Sequence, residues 1–161
     1  MRYDAEMAIF DVLDLYKDKL NAAITAINSE KNDGLVLDAI PNDTYVFDNF
    51  PSQVVNYEVA LVWGLSSGES VKSSQENNFI EPINITLEIC VADDGGEDRL
   101  NQLKKLLRYS RALQAVIMEN YDVLRGYGRP VIRSLEPNGF SLSNKLFLCA
   151  GIQITASITA A

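Results

Sequence analysis

Residues 79 to 100 read FIEPINITLEICVADDGGEDRL and join a strand pattern directly to a helix pattern. From position 83 to position 91 every second residue is apolar, so these side chains share one face of a strand. The acidic, glycine-rich turn at 93 to 98 ends this pattern, and its carboxylates favour the positive N-terminal end of a helix. The segment therefore predicts a half-buried strand followed by a helix.

Downstream, residues 97 to 124 form the predicted second helix. Its apolar residues recur at helical spacing and are assigned to the inner face, as Leu100, Leu103, Leu106, Leu107, Leu113, Ile117, Met118, Tyr121 and Leu124. The bases Lys104, Lys105, Arg108 and Arg111 are assigned to the outer face. Glycines and a proline at 126 to 130 then end the helix, and strands at 131 to 136 and 145 to 159 follow. The turn Pro137-Asn138-Gly139 predicts a hairpin between them.

Upstream, residues 4 to 29 predict a long amphipathic helix with an apolar stripe from Ile9 to Ile27 and aspartates on the opposite side. Asn32-Asp33-Gly34 supplies its stop signal. Strands are predicted at 44 to 47, 54 to 65 and 79 to 92. The polar stretch between the last two, residues 66 to 78, predicts a mobile loop that either stays disordered or becomes ordered on a partner.

These elements occur in the order α-β-β-β-α-β-β, and 161 residues without a linker fit one domain, 1 to 161. We therefore expect an α+β fold in which two long amphipathic helices pack on one face of a mainly antiparallel sheet of about five strands. The second face and the edges of such a sheet must be polar, paired or covered.

The composition disfavours most catalytic and metal-binding sites. The chain has no histidine, which excludes histidine triads and histidine-metal sites. Cys90 and Cys149 lie in separate apolar runs and are expected to be buried free thiols in a reducing cytosol. The glycine patterns match no nucleotide-binding loop. We therefore expect no cofactor and no bound metal. No apolar run reaches the length of a membrane span, so we also expect no membrane partner.

One carboxylate cluster, at Asp93, Asp94, Glu97 and Asp98, could hold a divalent cation. Its spacing does not fit an EF-hand, and a solvated turn is the simpler interpretation. A metal-assisted hydrolase that uses Asp93, Asp94 and Glu97 is kept as an alternative.

Charge is distributed unevenly along the chain, whose net charge is −8. Residues 33 to 98 carry a net charge of −12, residues 99 to 145 carry +6, and residues 1 to 32 carry −2. If acidic and basic regions lie on different flanks, copies of the chain can dock head to tail and close a ring. The alternative is that Asp11, Asp14 or Asp18 pairs with the bases of the second helix within one chain.

The layout resembles the tail terminator proteins of tailed bacteriophages. The likeness lies in the stretches YEVALVWGL, INITLEICVADD, RLNQLKKLLRYSRALQAVIMEN and RPVIRSLEPNGFSLSNKLFLCAGIQITASI, which extend from residue 57 to residue 158. It implies a structural virion protein of the tail and neck, assembled in the host cytoplasm and not an enzyme. Such a protein forms a homohexameric ring that caps the tail tube and leaves a channel for DNA.

The resemblance implies that the partners are other copies of the chain, the tail tube, the neck and stopper proteins, and the sheath where one is present. An acidic bore would let DNA pass without sticking. The alternatives are another neck or head-tail connector protein, or a non-viral adaptor with a single protein partner. The expected interface residues are Asp11, Asp14, Asp18, Ser66, Ser67, Gly68, Glu69, Ser70, Lys72, Lys104, Lys105, Arg108 and Arg111.

Overall fold

The computed structural model describes residues 5–47, 58–67, 71–72, 79–93, 99–124, 131–142 and 144–160. The helices are α1 (Ala5–Lys31) and α2 (Arg99–Glu119), and single 3-10 turns span Asn42–Thr44 and Tyr121–Leu124. The strands are β1 (Val46–Phe47), β2 (Val59–Ser67), β3 (Val71–Lys72), β4 (Phe79–Ala92), β5 (Val131–Leu142) and β6 (Lys145–Ala160). Neither helix of the described chain is long and apolar enough to cross a bilayer.

The main sheet has the strand order β1-β2-β4-β6-β5; α2 contacts β4 and β6, α1 packs against α2, and both helices contribute buried residues to one core with the sheet. This confirms the α+β class and a sheet of five main strands. The expectation about pairing is only partly met, because β1 runs parallel to β2, with Val46 opposite Val62. The remaining neighbours are antiparallel, and β4 pairs with β6 over its whole length.

The predicted loop at 66 to 78 is wrong in part. Ser66 and Ser67 belong to β2, and Val71 and Lys72 form β3, which pairs with Ile80 and Phe79 of β4. The strand pattern continues here because β4 is longer than β2 and offers backbone partners beyond the end of β2. The rest of that loop, residues 68–70 and 73–78, lies outside the described residues.

The predicted hairpin turn at Pro137-Asn138-Gly139 is also wrong. Asn138 and Gly139 stay in β5, opposite Cys149 and Leu148, and the register shifts between Leu135 and Asn138. Pro137 lies within this irregularity, as expected of a residue that cannot donate a ladder hydrogen bond. The chain reverses farther on, beside Asn144, which has a left-handed backbone with φ of 64°.

The main core lies between the helices and the sheet. The predicted stripe of α1 is confirmed from Val12 to Ile27, and the alternating face of β4 is confirmed at Ile85, Leu87, Ile89 and Val91. The Tyr16 hydroxyl, which is buried, donates to the Leu113 carbonyl oxygen at 2.6 Å and so links α1 to α2. Burial is the main cause of the raised pKa of Tyr16.

The inner face of α2 differs from the prediction. Leu106, Leu113 and Ile117 are buried as expected, but the inner face is completed by Gln102, Tyr109, Ala112 and Val116. The side chains of Leu100, Leu103, Leu107, Met118 and Tyr121, predicted to be buried, are exposed. Leucines occur on both sides of this helix, so apolar periodicity alone does not determine which side packs on the sheet.

Two asparagines of α1 hold the segment that follows the helix. The Asn28 side chain donates to the Leu37 carbonyl oxygen at 3.0 Å and accepts from the Leu37 amide at 2.8 Å. The Asn21 side chain makes the same pair of bonds with Ile40, each at 2.8 Å. Residues 37–40 are therefore held along α1 by hydrogen bonds between two side-chain amides and the backbone.

A second apolar cluster lies on the sheet face away from the main core. It contains Val46, Ala60, Cys90, Ala92, Phe147 and Cys149, and the ring of Phe140 stacks on Phe147. Cys90 and Cys149 form a disulfide in this cluster, so the expectation of free thiols is wrong. The two residues are 59 positions apart in sequence but directly opposite in the β4–β6 ladder, a relation that only the register reveals.

Candidate functional site: the outer face of helix α2

The outer face of α2 presents apolar side chains to solvent. Leu107 is 52% exposed and Met118 is 65% exposed. Leu100 and Leu103 are exposed on the same side, since positions three, four and seven apart share a helix face. We call these four residues the leucine stripe. Leu100, Leu103 and Leu107 occupy adjacent turns, whereas Met118 lies three turns farther along the same face, beyond Arg111 and Gln114. Clustered exposed apolar side chains are typical of protein interaction sites.

Lys104 is exposed beside the leucine stripe, whereas two of the other predicted interface bases are paired within the chain. The Arg111 guanidinium donates to the Glu30 carboxylate at 2.8 and 3.1 Å. The Arg108 guanidinium binds both carboxylate oxygens of Asp33 and donates to the Leu35 carbonyl oxygen at 3.1 Å. The alternative of pairing within one chain therefore holds for Arg108 and Arg111, although with acids other than those expected.

The surroundings of Asp33 favour the ionised form of its carboxyl group. Its hydrogen bonds from Arg108, and then from the Leu35 amide, hold the pKa of the Asp33 carboxyl well below its usual range. A lowered carboxyl pKa in the folded state stabilises the fold above the pKa of the unfolded chain, and this contribution disappears as the pH falls through the folded pKa.

We expect Asp33→Asn to lower the urea midpoint modestly at pH 7, and we expect its difference from the wild type to shrink as the pH falls. The effect is modest because the Asp33 side chain is 44% exposed and the pair is screened by solvent. Urea unfolding followed by circular dichroism between pH 2 and pH 7 measures it. Asp43→Asn, on an exposed turn, is the matched control, and equal losses in both variants at pH 7 would contradict the role of the Arg108 pair.

The predicted acidic residues of α1 lie on the outer side of that helix. Asp14 and Asp18 are exposed, and the Lys19 Nζ lies 3.5 Å from the Asp18 Oδ2. Asp11 is half-buried, and Phe10 beside it is 53% exposed. This surface therefore combines a large exposed apolar ring with carboxylates, and the exposed Lys17 and Lys19 lie next to Asp18 in the sequence.

Lys105 lies apart from the outer face and lines a cavity of about 150 Å³ at the end of the sheet. Asp38, Glu58 and Asp93 bring carboxylates to the same cavity. Gln102, which is buried, donates to the Val91 carbonyl oxygen at 2.9 Å and so fixes the start of α2 to β4. Of the proposed carboxylate cluster only Asp93 is described, since residues 94 to 98 lie outside the described part of the chain.

The remaining predicted interface residues lie in or beside the strands β2 and β3 along the sequence. Ser66 and Ser67 end β2, and Lys72 is in β3 opposite Phe79. Gly68, Glu69 and Ser70 lie outside the described residues. The prediction that Lys104 lies on the outer face of α2 is confirmed, whereas the residues of the leucine stripe were predicted to be buried. Apolar spacing gave no signal for the buried Gln102 and Tyr109, whose side chains bond to backbone carbonyl groups on the packed side.

No family model and no curated protein matches this chain.

Proposed function

We propose that this chain is a structural protein that assembles with copies of itself into a ring, with the outer face of α2 as one side of each contact. The observation that carries the proposal is the leucine stripe. Full burial of an entirely exposed apolar side chain is worth about 1.5–3 kcal/mol, and Leu107, which is 52% exposed, would gain about half of that on association. The other three residues would each add a share in proportion to their exposure.

A second copy is the favoured occupant because the chain carries a complementary surface. Phe10, Asp14 and Asp18 on α1 offer an apolar ring and two carboxylates, and the leucine stripe offers apolar side chains beside Lys104. A contact between two different surfaces of identical chains is heterologous, and its repetition gives a ring when the rotation closes.

Within that class, we propose a tail terminator of a tailed bacteriophage, acting in the virion as a hexameric ring on the tail tube. The support is the layout of the sequence and the α+β architecture, in which both helices share one core with the sheet. The net charge of −8 suits a ring around DNA, because like charge prevents the duplex from adhering to its wall. The tube and neck proteins would then dock on surfaces outside the ring contact.

Leu107→Glu tests the ring contact, with Val131→Glu as the matched control. Both native side chains are 52% exposed, but Leu107 lies in the leucine stripe and Val131 starts the edge strand β5. We expect the wild type and Val131→Glu to form the same oligomer in light scattering and mass photometry. We expect Leu107→Glu to be a folded monomer, because a carboxylate in the contact would have to be desolvated.

Charge reversal tests the choice of partner surface. Lys104→Glu should weaken the oligomer, and a mixture of Lys104→Glu with Asp14→Lys should recover more assembly than either variant alone. A wild type that stays monomeric at every protein and salt concentration would overturn the ring proposal. An oligomer that Leu107→Glu leaves intact would overturn the assignment of its surface.

A further inference from the structure

Three potential metal ligands converge on the sheet face opposite the main core. Cys90 and Cys149 face each other across β4 and β6, with their Cα atoms 4.2 Å apart. Glu88 precedes Cys90 by two residues and therefore shares its face of β4. The two sulfur atoms and a Glu88 carboxylate oxygen all lie within 4.8 Å of one another.

We propose that Cys90, Cys149 and Glu88 form a zinc site when the disulfide is reduced. Thiolate and carboxylate groups are both established zinc ligands, and three protein ligands plus one water complete a tetrahedral ion. Tetrahedral Zn–S bonds of about 2.3 Å place two sulfurs about 3.8 Å apart. Two thiols that are no longer bonded separate to about this distance by small side-chain rotations on strands that stay paired.

The neighbouring residues favour such a site. Ala60 lies opposite Cys90 in the β2–β4 ladder and Gly151 lies opposite Glu88 in the β4–β6 ladder, so small residues flank the ligands. Phe147 and Val46 belong to the same buried cluster. Apolar surroundings limit solvent access to the site and lower the local dielectric constant, which strengthens the attraction between the ion and its anionic ligands.

The chemistry balances in two steps. A phosphine reductant and one water convert the disulfide to two thiols, and the phosphine becomes its oxide. Zinc then displaces the two thiol protons, so that a divalent cation is bound by two thiolates and one carboxylate and two protons are released. Zinc affinity should therefore rise with pH. The oxidised chain has no thiolate to offer and should not bind at this site.

The test is metal uptake by the full chain, reduced with a phosphine, freed of metal with a chelator and kept without oxygen. Titration with Co²⁺, which substitutes for zinc and is coloured, should give one ion per chain with a thiolate-to-cobalt absorption band. Native mass spectrometry should show one Zn²⁺ bound in place of two protons. The oxidised chain should show neither signal.

Two variants assign the ligands. Cys149→Ser should abolish the thiolate band, and circular dichroism verifies its fold. Glu88→Gln keeps both thiols and should weaken zinc binding by about tenfold or more, whereas Glu136→Gln, an exposed control on β5, should bind like the wild type. No stoichiometric uptake by the reduced wild type would overturn the site. Equal affinities of Glu88→Gln and Glu136→Gln would overturn the carboxylate ligand. Metal uptake is read per chain, so either result leaves the ring proposal standing on its own test.

Discussion

Gly151→Ala is expected to destabilise the chain by about 3 kcal/mol or more, the upper end of the usual cost of overpacking. Gly151 is buried in β6, opposite Glu88 of β4. A Cβ atom at this position would overlap the Leu87 carbonyl oxygen and lie 2.7 Å from the Glu88 Cα. Both are backbone atoms of the longest ladder in the sheet, so relief requires the strands to move apart.

Gly139→Ala is the matched control, because Gly139 lies in β5 of the same sheet. Its Cβ would meet the Leu148 Cδ2 and the Phe147 carbonyl oxygen at 3.3 Å, a contact that small shifts relieve. Urea unfolding followed by far-UV circular dichroism compares the two variants. Similar midpoints for Gly151→Ala and the wild type would contradict the close approach of β4 and β6. Loss of soluble protein for Gly151→Ala alone would support it.

Reduction of the Cys90–Cys149 disulfide is expected to lower the free energy of unfolding of metal-free protein by about 4 kcal/mol. The disulfide closes a loop of 59 residues, and the entropy it removes from the unfolded chain corresponds to about this value. Typical small domains are stable by only about 5–15 kcal/mol, so the loss is a large share of the total.

Urea unfolding with and without a phosphine, in the presence of a chelator, measures this effect. Cys90→Ala/Cys149→Ala is the control, since its midpoint should not respond to the reductant and should lie near that of the reduced wild type. An unchanged wild-type midpoint, with complete reduction verified by mass spectrometry, would contradict the expected stabilisation.

The buried face of α1 could be predicted because this helix has a single apolar stripe. In α1, Val12, Leu20 and Ile24 recur on one side only, so the buried face follows from the helical period. In α2, Leu107 is exposed and Leu113 is buried on a different side, and the side that packs also carries Gln102 and Tyr109, which donate hydrogen bonds to backbone carbonyl groups. Apolar patterning carries no information about such bonds.

The pairing of strands that are distant in the chain could not be predicted from the sequence. Nothing in the neighbourhoods of Cys90 and Cys149 shows that they are opposite each other, because register depends on where each strand starts within the assembled sheet. The Asn138-Gly139 pair gave a false turn signal, since Pro137 and a bulge keep the strand running past it. The uneven distribution of charge along the chain can be read from the sequence. Which acid pairs with which base depends on the fold.

The paired asparagines of α1 fix the length of the chain that follows the helix. Asn21 and Asn28 are seven residues apart, which is about 10.5 Å along a helix that rises about 1.5 Å per residue. Leu37 and Ile40 are three residues apart, which is about 10 Å along an extended chain. The two spacings match, so an insertion of one residue between Leu37 and Ile40 would leave one asparagine out of step with its backbone partner. This connection therefore tolerates exchange of side chains at Asp38 and Ala39 but not a change of length.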